Sequence, residues 1–255
     1  MDEKQFSYPL ELGVSMFSGR HALKVNAYQE LYMQAVEPHL MNIGMDEAKL
    51  MAELDVAWVL IALTMEPKRP IRPGDRLHAR TWNTTEKARL LFRREIAFYD
   101  ETDEIVLTGA TFSALLDLKT RRVCTDRALI ARFNLPAGEM LVEASDRLRM
   151  KTPETAPVET LTARPSWEDA VGHVNNFRYG EMVYDALSPE QRENMERLTR
   201  LELYFVNETK PGDPLKLHRI DEENGTTVTV TLPDMPRPAF AAKLRFESNK
   251  GDRET

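Results

Sequence analysis

Apolar positions recur at helical spacing through Tyr28, Leu31, Tyr32, Ala35 and Val36, which predicts a helix over residues 22–37. Pro38 is expected to end or kink it. The run Ala57–Thr64 is rich in β-formers and lies between Asp55 and Pro67, as a buried strand would. Alternation then follows at Leu77, Ala79 and Thr81, and again at Leu90, Phe92, Ile96 and Phe98, where Arg94 breaks the pattern. An acidic turn at Asp100–Glu104 leads into an extended stretch from Ile105 to Leu118.

The second half repeats this order. Residues 174–187 carry Phe177, Met182, Val183, Ala186 and Leu187 at helical spacing, and Ser188-Pro189 ends that helix or opens a short one. Leu201, Leu203 and Phe205 alternate, as do Leu215 and Leu217, then Val228, Val230 and Leu232, with a turn at Asp221–Gly225. Phe240–Phe246 closes the set, and Pro233, Pro236 and Pro238 predict an irregular edge loop before it. Both halves place a basic-Pro-Gly-Asp turn after their first strand, Arg72-Pro-Gly-Asp75 and Lys210-Pro-Gly-Asp213.

A helix followed by several antiparallel strands, twice, predicts an α+β fold of two similar units, each a sheet wrapped around one long helix. The first unit spans residues 1–133 and the second residues 161–255. Residues 134–160, with Pro136, Gly138, Pro153 and Pro157, read as a linker, and Ser248–Thr255 as a polar tail.

Composition narrows the class. At 255 residues, with 42% hydrophobic and 29% charged positions, the chain is an ordinary globular protein. Its longest apolar stretch, Val56–Leu63, is far short of a membrane span. The start, Met1-Asp-Glu-Lys-Gln-Phe6, lacks the features of a secretory signal, and the single Cys124 fits a reducing compartment, so a cytoplasmic location is expected. A net charge of −7 argues against general nucleic-acid binding. Local basic clusters remain: Lys87/Arg89/Arg93/Arg94, Lys119/Arg121/Arg122 and Arg147/Arg149/Lys151. Such clusters are solvated surface or docking sites for anionic partners.

The candidate chemistry lies in Asp169-Ala-Val-Gly-His173-Val-Asn175-Asn176-Phe-Arg-Tyr179. Paired asparagines at the start of a helical pattern conflict with propensity, as happens where function selects residues. Helix capping by Asp169 is the alternative. His173 can orient a nucleophile or donate a hydrogen bond, and Gly172 leaves room for close approach to the backbone. A helix N-terminus offers free N–H groups to a polarised carbonyl. The five histidines show no metal-ligand spacing, no Gly-x-Ser-x-Gly frame appears, and no cofactor is expected. Met41, Met45, Met51 and Met65 are either core or the lining of a flexible apolar slot.

These residues resemble the active-site signature of the acyl-ACP thioesterases of plants and bacteria, Asp-x-Asn-x-His-Val-Asn-Asn. The resemblance extends to Asp117-Leu-Lys-Thr-Arg-Arg122 and to Leu201-Glu-Leu-Tyr-Phe-Val-Asn-Glu208. It implies two tandem hot-dog domains, the second carrying the catalytic residues, and hydrolysis of fatty acyl-ACP to free fatty acid. It implies Asp169, His173 and Glu208 as catalytic residues, either carboxylate being base or nucleophile, with Gly172, Asn175 and Asn176 at the substrate. The expected partner is an acidic acyl carrier protein, and the expected assembly a monomer or homodimer. One departure stands out: Val171 occupies the signature's Asn position, and Thr209 follows Glu208 where some plant members have Cys. That departure keeps open a non-catalytic acyl-binding protein, beside an acyl-CoA thioesterase or another hot-dog enzyme such as a hydratase. Taken alone, Glu208 reads as a solvated strand-end carboxylate.

Overall fold

The computed structural model describes residues 7–84, 90–133 and 138–248. Its first half runs β1 (Ser7–Leu10), α1 (Val25–Asn42), α2 (Glu47–Leu54), β2 (Val56–Pro67), β3 (Leu77–Asn83), β4 (Phe92–Tyr99), β5 (Ile105–Asp117), β6 (Arg122–Val123) and α3 (Arg127–Ala131). The second runs β7 (Glu159–Thr162), α4 (Asn176–Ala186), α5 (Pro189–Glu193), β8 (Leu198–Phe205), β9 (Pro214–Glu222), β10 (Gly225–Thr231) and β11 (Phe240–Phe246). The strands form one 11-stranded antiparallel sheet ordered β1-β3-β4-β5-β2-β8-β11-β10-β9-β7, with β6 on β5. Each half of that order repeats the other: an outer strand, then the second, third, fourth and first strands after the central helix.

The halves join where β2 pairs with β8, Ala62 opposite Tyr204 and Met65 opposite Leu201. Side chains alternate across a strand, so Leu63, Met65, Leu201 and Leu203 enter the core beneath the helices. Ala62 and Tyr204 face the other way and pack with Leu148 and Ala241. One apolar core contains buried residues of both α1 and α4. The helices approach closely at Gly180, where a Cβ would lie 2.1 Å from Gln29 Oε1 and 2.8 Å from Asn26 Cα.

The two Pro-Gly-Asp turns are superposable in their bonding. Gly74 and Gly212 both hold φ of +93°, a conformation that favours glycine. Asp75 and Asp213 accept the N–H of the basic residue on their carboxylates at 3.0 and 2.8 Å, and each donates its own N–H back to that residue's carbonyl at 3.1 Å.

Three expectations are corrected. Helix α1 passes through Pro38 and ends at Asn42, because packing of Val36 and His39 and a bond from Asn42 Nδ2 to Tyr8 Oη (2.9 Å) hold the last turns despite the lost backbone donor. The helix start at Asn176 is capped by Asn175, not Asp169. The proline-rich connection before β11 joins two interior strands and is not at a sheet edge; Pro236 O accepts the Thr152 N–H at 3.2 Å. Within residues 138–160, Val142 and Leu148 are buried and β7 begins at Glu159. Met1–Phe6, Lys87 and Arg89, Pro136, and the tail beyond Ser248 lie outside the described residues.

Candidate active site

The signature forms a tight loop before α4. Glu168 bridges Val174 in antiparallel fashion, and inside that bridge Asp169 N–H donates to His173 O and Gly172 N–H to Asp169 O, both at 3.0 Å. Gly172 holds φ of +85°, and a Cβ there would meet nothing within 4 Å. The glycine is needed for its backbone conformation; no crowding demands it. Asp169 Oδ1 accepts the Val171 N–H at 2.9 Å, while Oδ2 lies 3.3 Å from His173 Nδ1. A carboxylate beside Nδ1 favours the tautomer protonated there and leaves Nε2 as an acceptor.

The helix start is fixed from three sides. Asn175 Oδ1 accepts the Phe177 N–H at 2.9 Å, Asn175 N–H donates to Trp167 O at 2.8 Å, and Val174 N–H to Thr209 O at 2.8 Å. Across the helix contact, Gln29 Nε2 donates to Asn176 O at 2.9 Å. The Asn176 N–H has no acceptor among the described residues, so the positive end of α4 keeps a free donor beside His173.

Asp169, Val171, His173, Asn175 and Asn176 line one wall of a cavity of about 560 Å³. Facing walls come from the first half: Met33, Val36, Leu40 and Met41 of α1, with Met45, Trp58, Phe92 and Phe133. Of the four methionines singled out, Met41 and Met45 line this slot, Met45 being also part of a core cluster, Met65 is core, and Met51 is half-buried away from the slot. A larger hollow of about 830 Å³ between α5 and the β9–β10 turn is open, lined by charged groups such as Glu190, Arg197, Asp221 and Glu222, and contains none of the signature residues. The smaller, more apolar cavity is the one with chemistry at its wall.

The sequence pattern of the acyl-ACP thioesterase N-terminal domain matches residues 3–127, and that of the C-terminal domain matches residues 150–235. The chain belongs to the acyl-ACP thioesterase family. It is a thioesterase of acyl-ACP with the double hot-dog fold. A solved acyl-ACP thioesterase from Bacteroides thetaiotaomicron is 25% identical, with a TM-score of 0.80 over 97% of this chain and 100% of that one. The fold also matches a 12:0-ACP thioesterase from Umbellularia californica, 17% identical, with a TM-score of 0.79 over 95% and 96% of the two chains. Comparison with curated proteins gives no match.

In this acyl-ACP thioesterase Glu208 is not part of the cavity wall. Its Oε2 receives Arg121 Nη2 at 2.7 Å, and Arg121 Nη1 donates to Val171 O at 3.1 Å. Arg121 comes from the first half, in a turn where it holds φ of +56°. So Glu208 meets Asp169 and His173 indirectly, through the arginine that pins their loop. Thr209 is fully buried, its hydroxyl 2.7 Å from Tyr179 Oη.

Two cavity residues escape the sequence pattern, Gln29 and Glu47, while a third, Arg94, was marked only as the break in the β4 alternation and as part of a basic cluster. Gln29 is a polar residue on the buried stripe of α1, a signal that could have been read. Glu47 opens the short helix α2 behind the cap Asp46; its Oε2 accepts the Trp58 N–H at 3.0 Å. Burial raises its pKa, and the charge of Asp169 adds to that, whereas the Trp58 bond opposes it. No helix among the described residues is long and apolar enough to cross a membrane.

Proposed function

We propose that Asp169, His173 and the N-terminus of α4 carry out the hydrolysis, with the 560 Å³ cavity as the acyl slot. The observation that carries this reading is the convergence of Asp169, His173, Asn175 and Asn176 on one wall of a slot whose other walls come largely from the first half and include Met33, Val36, Leu40, Trp58 and Phe92. Asp169 holds His173 through Nδ1, and Nε2 takes a proton from water as the water oxygen attacks the thioester carbonyl. The Asn176 N–H and the α4 dipole receive the oxyanion. When the C–S bond breaks, the proton passes from Nε2 to the departing thiolate of the carrier, releasing free fatty acid and thiol.

Glu208 is assigned a positioning role in this reading, because its carboxylate engages Arg121 and not the slot. The basic turn at Lys119–Arg122 borders the signature loop, and it is the surface on which an acidic carrier would dock. A cytoplasmic location accords with the single cysteine. The test is incubation of the purified protein with acyl-ACPs of varied length, titrating released thiol. Release for at least one length is expected; none above buffer for any length would overturn the reading.

A further inference from the structure

Hydrolysis leaves Arg94 without a task. It breaks the apolar alternation of β4, is only 8% exposed, and lines the acyl cavity. Its side-chain hydrogen bond runs from Nη1 to Thr81 Oγ1 at 3.3 Å. Among the described residues no carboxylate forms an ion pair with it, and the titratable groups it interacts with are Tyr32, Tyr8 and His39. The sheet neutralises its other buried charges: Arg93 Nε is 2.6 Å from Glu95 Oε1, and Arg200 Nη2 is 3.0 Å from Glu202 Oε1. Burial alone holds the Arg94 pKa down to about 10. A guanidinium with no ion-pair partner among the described residues costs the fold desolvation, and a plain hydrocarbon lying against it would remove its remaining water and return nothing.

The surroundings point to the missing acceptor. Asn83, Ser113 and Tyr32 line the cavity with Arg94, so the slot carries a second polar patch besides the signature residues and Glu47. Tyr32 lies one turn beyond Gln29 on α1, roughly 4.5 Å along the axis, and Gln29 reaches Asn176 at the reacting end. We propose that the slot is built for acyl chains bearing an oxygen substituent, a hydroxyl or oxo group within the first few carbons of the thioester, and that Arg94 is the residue that recognises it. The inference rests on the acyl-ACP hydrolysis described above. A site that hydrogen-bonds a substituent rejects the analogue lacking it, because its buried donors are then left unpaired.

The experiment compares kcat/KM for acyl-ACPs of one chain length in unsubstituted, 3-hydroxy and 3-oxo forms, in the wild type and in Arg94→Met. In parallel, the thermal stability of the wild type is followed with the free 3-hydroxy acid and the free unsubstituted acid. The wild type is expected to prefer an oxygenated form by about 10-fold or more, and Arg94→Met to collapse that ratio toward one. The free hydroxy acid should raise Tm more than its unsubstituted partner. Equal or reversed preference in the wild type, or an unchanged ratio in Arg94→Met, would overturn the proposal. If Arg94→Met does not fold, the wild-type preferences decide. If the protein hydrolyses none of the thioesters, the catalytic reading falls, and the comparison of free acids still decides this one.

Discussion

Asp169 uses its two oxygens differently: one closes the loop on the Val171 N–H, and the other faces His173. Asp169→Asn keeps an acceptor for the loop but removes the charge beside Nδ1, so kcat is expected to fall about 10²–10⁴-fold with little loss of Tm. Glu208→Gln loosens only the hold on Arg121, and its kcat is expected to fall by less than about 10-fold. Equal losses in the two variants would return Glu208 to the chemistry. Val171 lines the slot where the family signature has an amide. One oxyanion-type donor is worth roughly 10²–10³ in rate where nothing replaces it. Val171→Asn is therefore expected to raise kcat toward acyl-ACP, and an unchanged or lower rate in a folded variant would show that the Asn176 N–H already fills that role.

Helix α4 is held by its own cap and by packing on both sides. Helix α4 starts where Asn175 caps it, and its first turn is clamped by the stack of Tyr179 on Phe240, with ring centroids 4.7 Å apart. On its other side it touches α1 at Gly180. A methyl there collides with the backbone of Asn26 and displaces the Gln29 amide that reaches Asn176. Gly180→Ala is therefore expected to destabilise the protein by about 1–3 kcal/mol, measured by denaturant unfolding. It should also lower kcat, since the moved helix start carries the proposed oxyanion donor. A variant as stable as wild type would mean that the two helices separate at no cost.

At the scale of the whole molecule, the linker crosses the outer face of the joined sheet. Leu141 N–H donates to Glu95 Oε2 at 3.0 Å, Arg200 Nη2 reaches Glu143 O at 2.6 Å, and Leu148 covers Ala62, Tyr204 and Ala241. The two units are thus tied on both faces, by one core beneath and by the linker above. His39, at the end of α1, gives this assembly a pH dependence. Burial, aided by the charge of Arg94, lowers its pKa to about 4. Above pH 6.5 the ring is neutral in both states; below it the unfolded chain takes up a proton that the folded chain refuses. Stability is therefore expected to fall as pH drops from about 6.5 to 4, by up to about 3 kcal/mol. His39→Leu should flatten that decline in unfolding curves taken across the range, and a decline as steep as the wild type's would assign it to other groups. Carrier docking is also a property of the assembled surface. Arg122→Glu is expected to raise KM for acyl-ACP about 10-fold while sparing a short soluble thioester, which separates docking from chemistry. Equal effects on both substrates would place the docking surface elsewhere.

Periodicity and turn chemistry were enough to read the repeated helix-and-strand order, because burial on one face leaves a period of 3.6 or 2 wherever it acts. The paired Pro-Gly-Asp turns were legible for the same local reason: Gly74 and Gly212 are dictated by the backbone they must adopt. The signature segment was legible because its residues are contiguous and violate helix propensity. Short elements were not: α2, α3 and β7 carry too few residues for a period to emerge, and they are held by caps such as Asp46 and Asp126 and by neighbouring strands. Pro38 misled because the cost of one missing backbone bond was outweighed by burial that only the folded core supplies. What tertiary structure alone decided is which distant side chains share a site. It placed Glu208 on Arg121 at the outside of the loop, and it placed Gln29, Glu47 and Arg94, from separate elements of the first half, against the signature of the second. Such convergence depends on how two units pack across β2 and β8, and long-range packing leaves no period in the sequence.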